Sequence, residues 1–205
     1  MSSRCRRFEL EPALIPLWLK LAYGAFVPIL VVTYWRLYGP SNFLWLSDIA
    51  LFLTALAVIL ENPLLASMPA VGVLPLEILW TVDFIARGRL GLTSYMFDPK
   101  WPLWLRAISL FHLALPPTLI WMLYQFGYDG RAFFWQLALT WATFLFCYAW
   151  TEPEKNINWV FGPGEKPQTR ISPRLYFAIL MLFVPVCVMT PMHLLLSWMF
   201  RTAGG

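Results

Sequence analysis

Charge is what this chain has least of. Only 13% of its 205 residues are Asp, Glu, Lys or Arg, about half the roughly 25% of an ordinary soluble domain. With 60% hydrophobic residues, a soluble fold of this length has no way to hide its apolar surface. Cysteine is also scarce. Cys5, Cys147 and Cys187 form no paired framework and no metal-ligand spacing. Cys147 and Cys187 fall in apolar runs and read as small core hydrophobes. No run of five or more Lys or Arg occurs, which removes the usual basis for nucleic-acid binding. Haem ligation needs axial ligands at suitable depth, and of the two histidines only His112 lies there. No cofactor and no metal is expected. Internal repeats are missing too, which argues against transport.

What the chain has instead is apolar length and aromatic residues. Mean hydropathy is +0.63, and twelve Trp and eight Tyr suit the two bilayer interfaces. A helical crossing needs about 20 apolar residues. The sequence offers about six such runs, at roughly 12–36, 42–60, 63–86, 102–125, 131–150 and 173–200. The expectation is therefore all-α: one polytopic helical bundle, with a retained first helix rather than a cleaved signal. Gly39-Pro40-Ser41-Asn42, Glu61-Asn62-Pro63 and Tyr128-Asp129-Gly130 punctuate the runs, and Ser41 or Asn42 is placed to cap the second helix. The location implied is an integral membrane protein, in the inner membrane if the source is bacterial. Strict alternation puts loops 87–101 and 151–172 on the side of the first turn, with nine of the fifteen Lys and Arg. That bias favours cytoplasmic loops, whereas Arg4, Arg6 and Arg7 argue for the reverse orientation.

Ionisable groups within hydrocarbon cost several kcal/mol and are functional candidates by default. Here they are Ser47 and Asp48 in the second run, Glu77 and Asp83 in the third, and His112 in the fourth. Ser47, Asp83 and His112 fall in the same leaflet if their helices are neighbours. Pro116 and Pro117 follow His112 and free the carbonyls of His112 and Leu113. A serine hydroxyl becomes a nucleophile when a histidine takes its proton, and a carboxylate orients that histidine. This assigns Ser47 as nucleophile, His112 as base and Asp83 as orienter. Asp48, Glu77, Asn156, Asn158 and Trp159 are the substrate or oxyanion candidates.

At these residues the chain resembles the YwaF-like polytopic membrane proteins and their eukaryotic relatives, the androgen-induced hydrolases of fatty-acid esters of hydroxy fatty acids. Phe43-Leu44-Trp45-Leu46-Ser47-Asp48 resembles the family's Pro-Leu-His-Leu-Cys-Asp stretch, and the Ala70 to Phe84 helix resembles its Gly-rich helix. Ser109-Leu110-Phe111-His112 resembles its Phe-Phe-x-x-His segment. Asn158-Trp159-Val160-Phe161 with Glu165-Lys166-Pro167 resembles its Asn-Tyr-Met-Phe-Leu-x-x-Lys-Pro run. The resemblance implies an intramembrane hydrolase or acyltransferase with a lipid acyl-ester substrate, Ser47 standing where the family has Cys or Thr. Trp45 replaces a family histidine. The alternative is a non-enzymatic protein that binds a lipid, sterol or other apolar ligand in an aromatic-lined cavity.

Overall fold

A computed structural model describes residues 14–164 and 166–200. Cys5, the basic Arg4, Arg6 and Arg7, the first two positions of the 12–36 run and Glu165 lie outside the described residues. The described residues form helices and turns, with no strand among them.

The first helix, α1 (Leu17–Tyr38), stops at Gly39, whose φ of +78° few side chains tolerate. A 3₁₀ turn over Pro40–Leu44 follows. It consumes Ser41 and Asn42, so neither caps the next helix as expected. α2 (Leu46–Leu60) starts behind Trp45 with no capping side chain of its own segment. It ends at Glu61 in the left-handed region, and Asn62 then caps α3 (Pro63–Gly72) by accepting the Leu65 N–H.

The third run is one helix only in sequence. It breaks after Gly72, and α3 and α4 (Leu74–Ile85) meet at 56°. Pro75 lacks the N–H that the Val71 carbonyl needs, so the ladder cannot continue there. Gly72 leaves room for Gln136, whose side-chain atoms would lie 2.5–2.8 Å from an added Cβ. The fourth run is interrupted at Ser109 and Leu110 between α5 (Leu103–Ile108) and α6 (Phe111–Phe126). α7 (Ala132–Trp150) is continuous. α8 (Pro173–Phe183) and α9 (Thr190–Met199) are joined by a π-helical turn over Val184–Met189, widened at Pro185.

Four helical stretches among the described residues are long and apolar enough to cross a membrane: Leu17–Tyr38, Leu103–Phe126, Ala132–Trp150 and Pro173–Met199. The bent α3–α4 pair makes a fifth when taken as one span, and α2 is a shorter apolar helix. Large apolar side chains point outward in number, among them Leu17, Leu21, Ile29, Leu182 and Leu194. Six exposed tryptophans lie toward helix ends, while Trp141 is exposed in the middle of α7. Trp18, Trp135 and Trp198 lie at one end of their helices, while Trp35, Trp104 and Trp150 lie at the other. Two aromatic belts at opposite ends of an apolar bundle are the pattern expected at two lipid–water interfaces.

α3 sits at the centre and packs against α2, α6 and α7. Small residues allow this approach: Ala66, Ser67, Ala70 and Gly72 are all buried.

Candidate functional site

The break after Gly72 creates a helix start inside the bundle. Glu77 lies in the first turn of α4, where the exposed N–H groups and the helix dipole favour a negative charge. Its side chain, 3% exposed, reaches α6, and its Oε2 lies 2.7 Å from Nδ1 of His112. One turn along α4, Trp80 stacks on the imidazole, with ring centroids 4.5 Å apart at 20°. Phe84 stacks in turn on Trp80. The i, i+3 and i+7 spacing of Glu77, Trp80 and Phe84 puts acid and aromatics on one face. His112 is therefore held by a carboxylate at its edge and an indole against its face. With Nδ1 engaged, Nε2 is the nitrogen left for a ligand.

Asp48 joins this pair from α2. It is 3% exposed, its Oδ2 accepts a hydrogen bond from Asn42 Nδ2 at 3.1 Å, and its Oδ1 is buried without a partner. Asp48 lies near enough to Glu77 for the two carboxyl groups to influence each other. Tyr34 on α1 shares a hydrogen bond with Ser109 at 3.1 Å, in the interruption between α5 and α6. Tyr95, from the 87–101 loop, faces Ser109, Trp80 and Glu77; burial pushes its phenol above the ordinary tyrosine range, so it stays a neutral donor. Two carboxylates, an imidazole and three hydroxyls from α1, α2, α4, α5–α6 and a loop thus share one buried region.

Asn42, the donor to Asp48, is itself half-buried. It borders an open depression of about 220 Å³ lined by Tyr38, Ser41, Trp45, Lys155 and Ile157. Below the cluster the bundle is closed by Leu51, Leu115 and Leu119, which are almost fully buried.

The residues expected to form a Ser–His–Asp unit do not all meet. Ser47 sits half-buried in the first turn of α2, and no hydrogen bond joins it to His112 among the described residues. Asp83 is not the orienter of His112. Its Oδ1 accepts the Leu90 N–H at 2.6 Å, and its Oδ2 accepts the N–H and hydroxyl of Thr93. It organises the loop that follows α4, and Glu77 takes the place beside the imidazole. Glu77 is six residues nearer the helix break, which brings it level with the start of α6.

Asn156 and Asn158 are not free oxyanion donors either. Asn158 pairs with the backbone ahead of α2, accepting from Leu46 N at 2.9 Å and donating to the Leu44 carbonyl at 2.7 Å. It supplies the cap that Ser41 and Asn42 do not. Asn156 donates to the carbonyls of Gly162 and Gly164 and accepts from Phe161 N. Both residues adopt positive φ, as does Trp159, and the Trp159 carbonyl accepts from the Tyr176 hydroxyl at 3.0 Å. These three shape the 151–164 loop and fasten it over the start of α2.

Tyr34, Asn42, Trp80, Tyr95 and Ser109 were not expected in the site. Trp80 has a sequence signal, its i+3 spacing from Glu77, and Asn42 is a local partner six residues before Asp48; Tyr34, Tyr95 and Ser109 come together only through tertiary packing. Among the described residues no group of three or more His, Cys, Asp or Glu side chains is arranged to hold a metal ion. No family model, no curated protein and no solved structure matches the chain.

Proposed function

We propose that this is a six-crossing integral membrane protein that binds a lipid-like ligand at the Asp48–Glu77–His112 cluster and exchanges a proton with the ligand's polar group. Support for six crossings comes from contacts along the two interrupted helices. Near the start of α3, Ser67 accepts the Asp129 N–H beyond the end of α6. Further along, Glu77 meets His112. Beyond the end of α4, Arg106 of α5 donates to the Met96 carbonyl at 2.7 Å. With α3 and α4 both packed on α6, these contacts support an antiparallel passage of the bent pair beside α5–α6, as in a single traverse. α2, at roughly 22 Å by helical rise, also joins both ends: Glu61 binds Lys20 near the start of α1, while Asn158 holds Leu46.

The observation that carries the ligand reading is the buried Glu77–His112 pair. Ionisable groups at this depth are retained only where they face the protein interior or a polar cavity. A carboxylate on Nδ1 fixes the tautomer and ring orientation and makes Nε2 the more effective proton acceptor. Apolar helices give a lipid-like molecule lateral access, and Trp80, Tyr34 and Tyr95 provide aromatic walls.

The second reading keeps the acyl-ester chemistry implied by the resemblance, with Glu77 in place of Asp83 as orienter of His112. It draws on the same 2.7 Å contact and requires Ser47 to reach Nε2 when substrate is bound.

One experiment separates the two. Purified protein in zwitterionic nanodiscs is challenged with 1-dodecanol, 1-dodecylamine, cholesterol and p-nitrophenyl laurate. The ligand reading expects at least one probe to raise Tm, with the effect lost in Glu77→Gln and His112→Ala. It fails if no probe shifts Tm, or if both variants respond as wild type does. The esterase reading expects nitrophenol release, and labelling by a fluorophosphonate, that both vanish in Ser47→Ala.

A further inference from the structure

We infer that the polar group this site accepts is a protonated primary amine, seated against Asp48. The inference rests on the ligand reading above and names the class of ligand.

The unpartnered Oδ1 of Asp48, in a side chain only 3% exposed, is the starting point. A carboxylate accepts hydrogen bonds and donates none, so a buried bare oxygen calls for a donor. Among the described residues, none of the protein's own donors reaches that oxygen. Asn42 Nδ2 serves the other oxygen of Asp48, His112 Nδ1 is on Glu77, and no hydroxyl of Tyr34, Tyr95 or Ser109 bonds Oδ1 of Asp48. Charge points the same way. Asp48 and Glu77 set two acidic side chains beside one imidazole, and no Lys or Arg side chain among the described residues forms an ion pair with either, so a cation that enters meets acids with no basic side chain paired to them. Arg106, the nearest basic residue in sequence to His112, gives its NH1 to the Met96 carbonyl instead.

A primary ammonium meets both needs at once. It brings three N–H donors and one positive charge, whereas a hydroxyl satisfies the oxygen but leaves the charge. A quaternary ammonium supplies charge but no donor. The route is the depression beside Asn42, flanked by the aromatic rings of Tyr38 and Trp45. At about 220 Å³ it admits an amine head group while an alkyl chain lies along the outer faces of the helices. Lys155, on the rim, is paired with Glu152 at 3.0 Å, which offsets its charge.

The test compares dodecylamine, dodecanol and dodecyltrimethylammonium at pH 7 in zwitterionic nanodiscs, on wild type, Asp48→Asn and the outward-facing Cys187→Ala as control. Dodecylamine is expected to bind at least about tenfold more tightly than either analogue. That preference is expected to persist in Cys187→Ala and to disappear in Asp48→Asn, which is near-isosteric and removes the buried charge. The comparison among probes on wild type stands even if Asp48→Asn fails to fold. Equal binding of alcohol and amine, both lost in Glu77→Gln, overturns the amine while leaving the ligand site in place. Unaltered amine preference in Asp48→Asn overturns it as well. No binding by any probe overturns both readings.

Discussion

Glu61 has an unusual density of partners for a residue in a two-residue turn. Its carboxylate takes the Lys20 ammonium at 2.6 Å and the backbone N–H groups of Leu14 and Ile15. Those contacts, the lysine first, hold its carboxyl below the ordinary value of 4.5. A depressed folded-state pKa gives stability that is present above the unfolded value and lost as pH falls through the folded one. The Tm advantage of wild type over Glu61→Gln should therefore be constant from neutral pH down to about 4.5 and shrink below it. Thermal unfolding across that range measures it; an advantage that persists unchanged to pH 3 contradicts the assignment. Glu77 and Asp83 illustrate a different point at the same scale. Both acids lie in one helix six residues apart, and sequence alone ranked Asp83 as the orienter. Depth relative to His112 depends on where α4 begins, and that is set by a break whose angle the sequence does not encode.

The break itself is the structural element on which the site depends. The 63–86 run is expected as one helix although Pro75 lies in it, and the break places Gly72 where the side chain of Gln136 occupies the space a Cβ would fill. A methyl group there forces Gln136 aside, and Gly72→Ala should destabilise the protein by about 1–3 kcal/mol. Because Gln136 is the atom set displaced, Gln136→Ala should recover most of that loss in the double variant. A double-mutant cycle on Tm measures the coupling, and additive effects contradict the packing account. The 151–164 loop is no more legible. Its Asn156, Asn158 and Trp159 read as substrate or oxyanion candidates in the sequence. Asn158 instead caps α2 across 112 positions of sequence. A long-range cap leaves no local pattern, whereas the local Asn62 cap of α3 lay in a turn that was evident.

At the scale of the molecule, composition carried most of the information. Scarce charge and long apolar runs pointed to an all-helical structure with helices long and apolar enough to cross a membrane, where backbone groups must bond within their own segment. Four helical stretches among the described residues are long and apolar enough to cross a membrane, the bent α3–α4 pair makes a fifth when taken as one span, and α2 is shorter. What composition does not contain is how the helices neighbour one another, and the site exists only through that. Acid, imidazole and hydroxyls scattered over five segments gather in the half of the bundle beneath loops 87–101 and 151–172, and apolar packing closes them off from the other half. The direct test uses the chain's two histidines. Protein with ¹⁵N-labelled histidine, in nanodiscs, is observed by NMR, with His193→Gln leaving His112 as the single signal. The account predicts a hydrogen-bonded Nδ1 whose shift moves in Glu77→Gln, and an Nε2 that responds to dodecylamine. An imidazole indifferent to both the Glu77 substitution and the amine contradicts it.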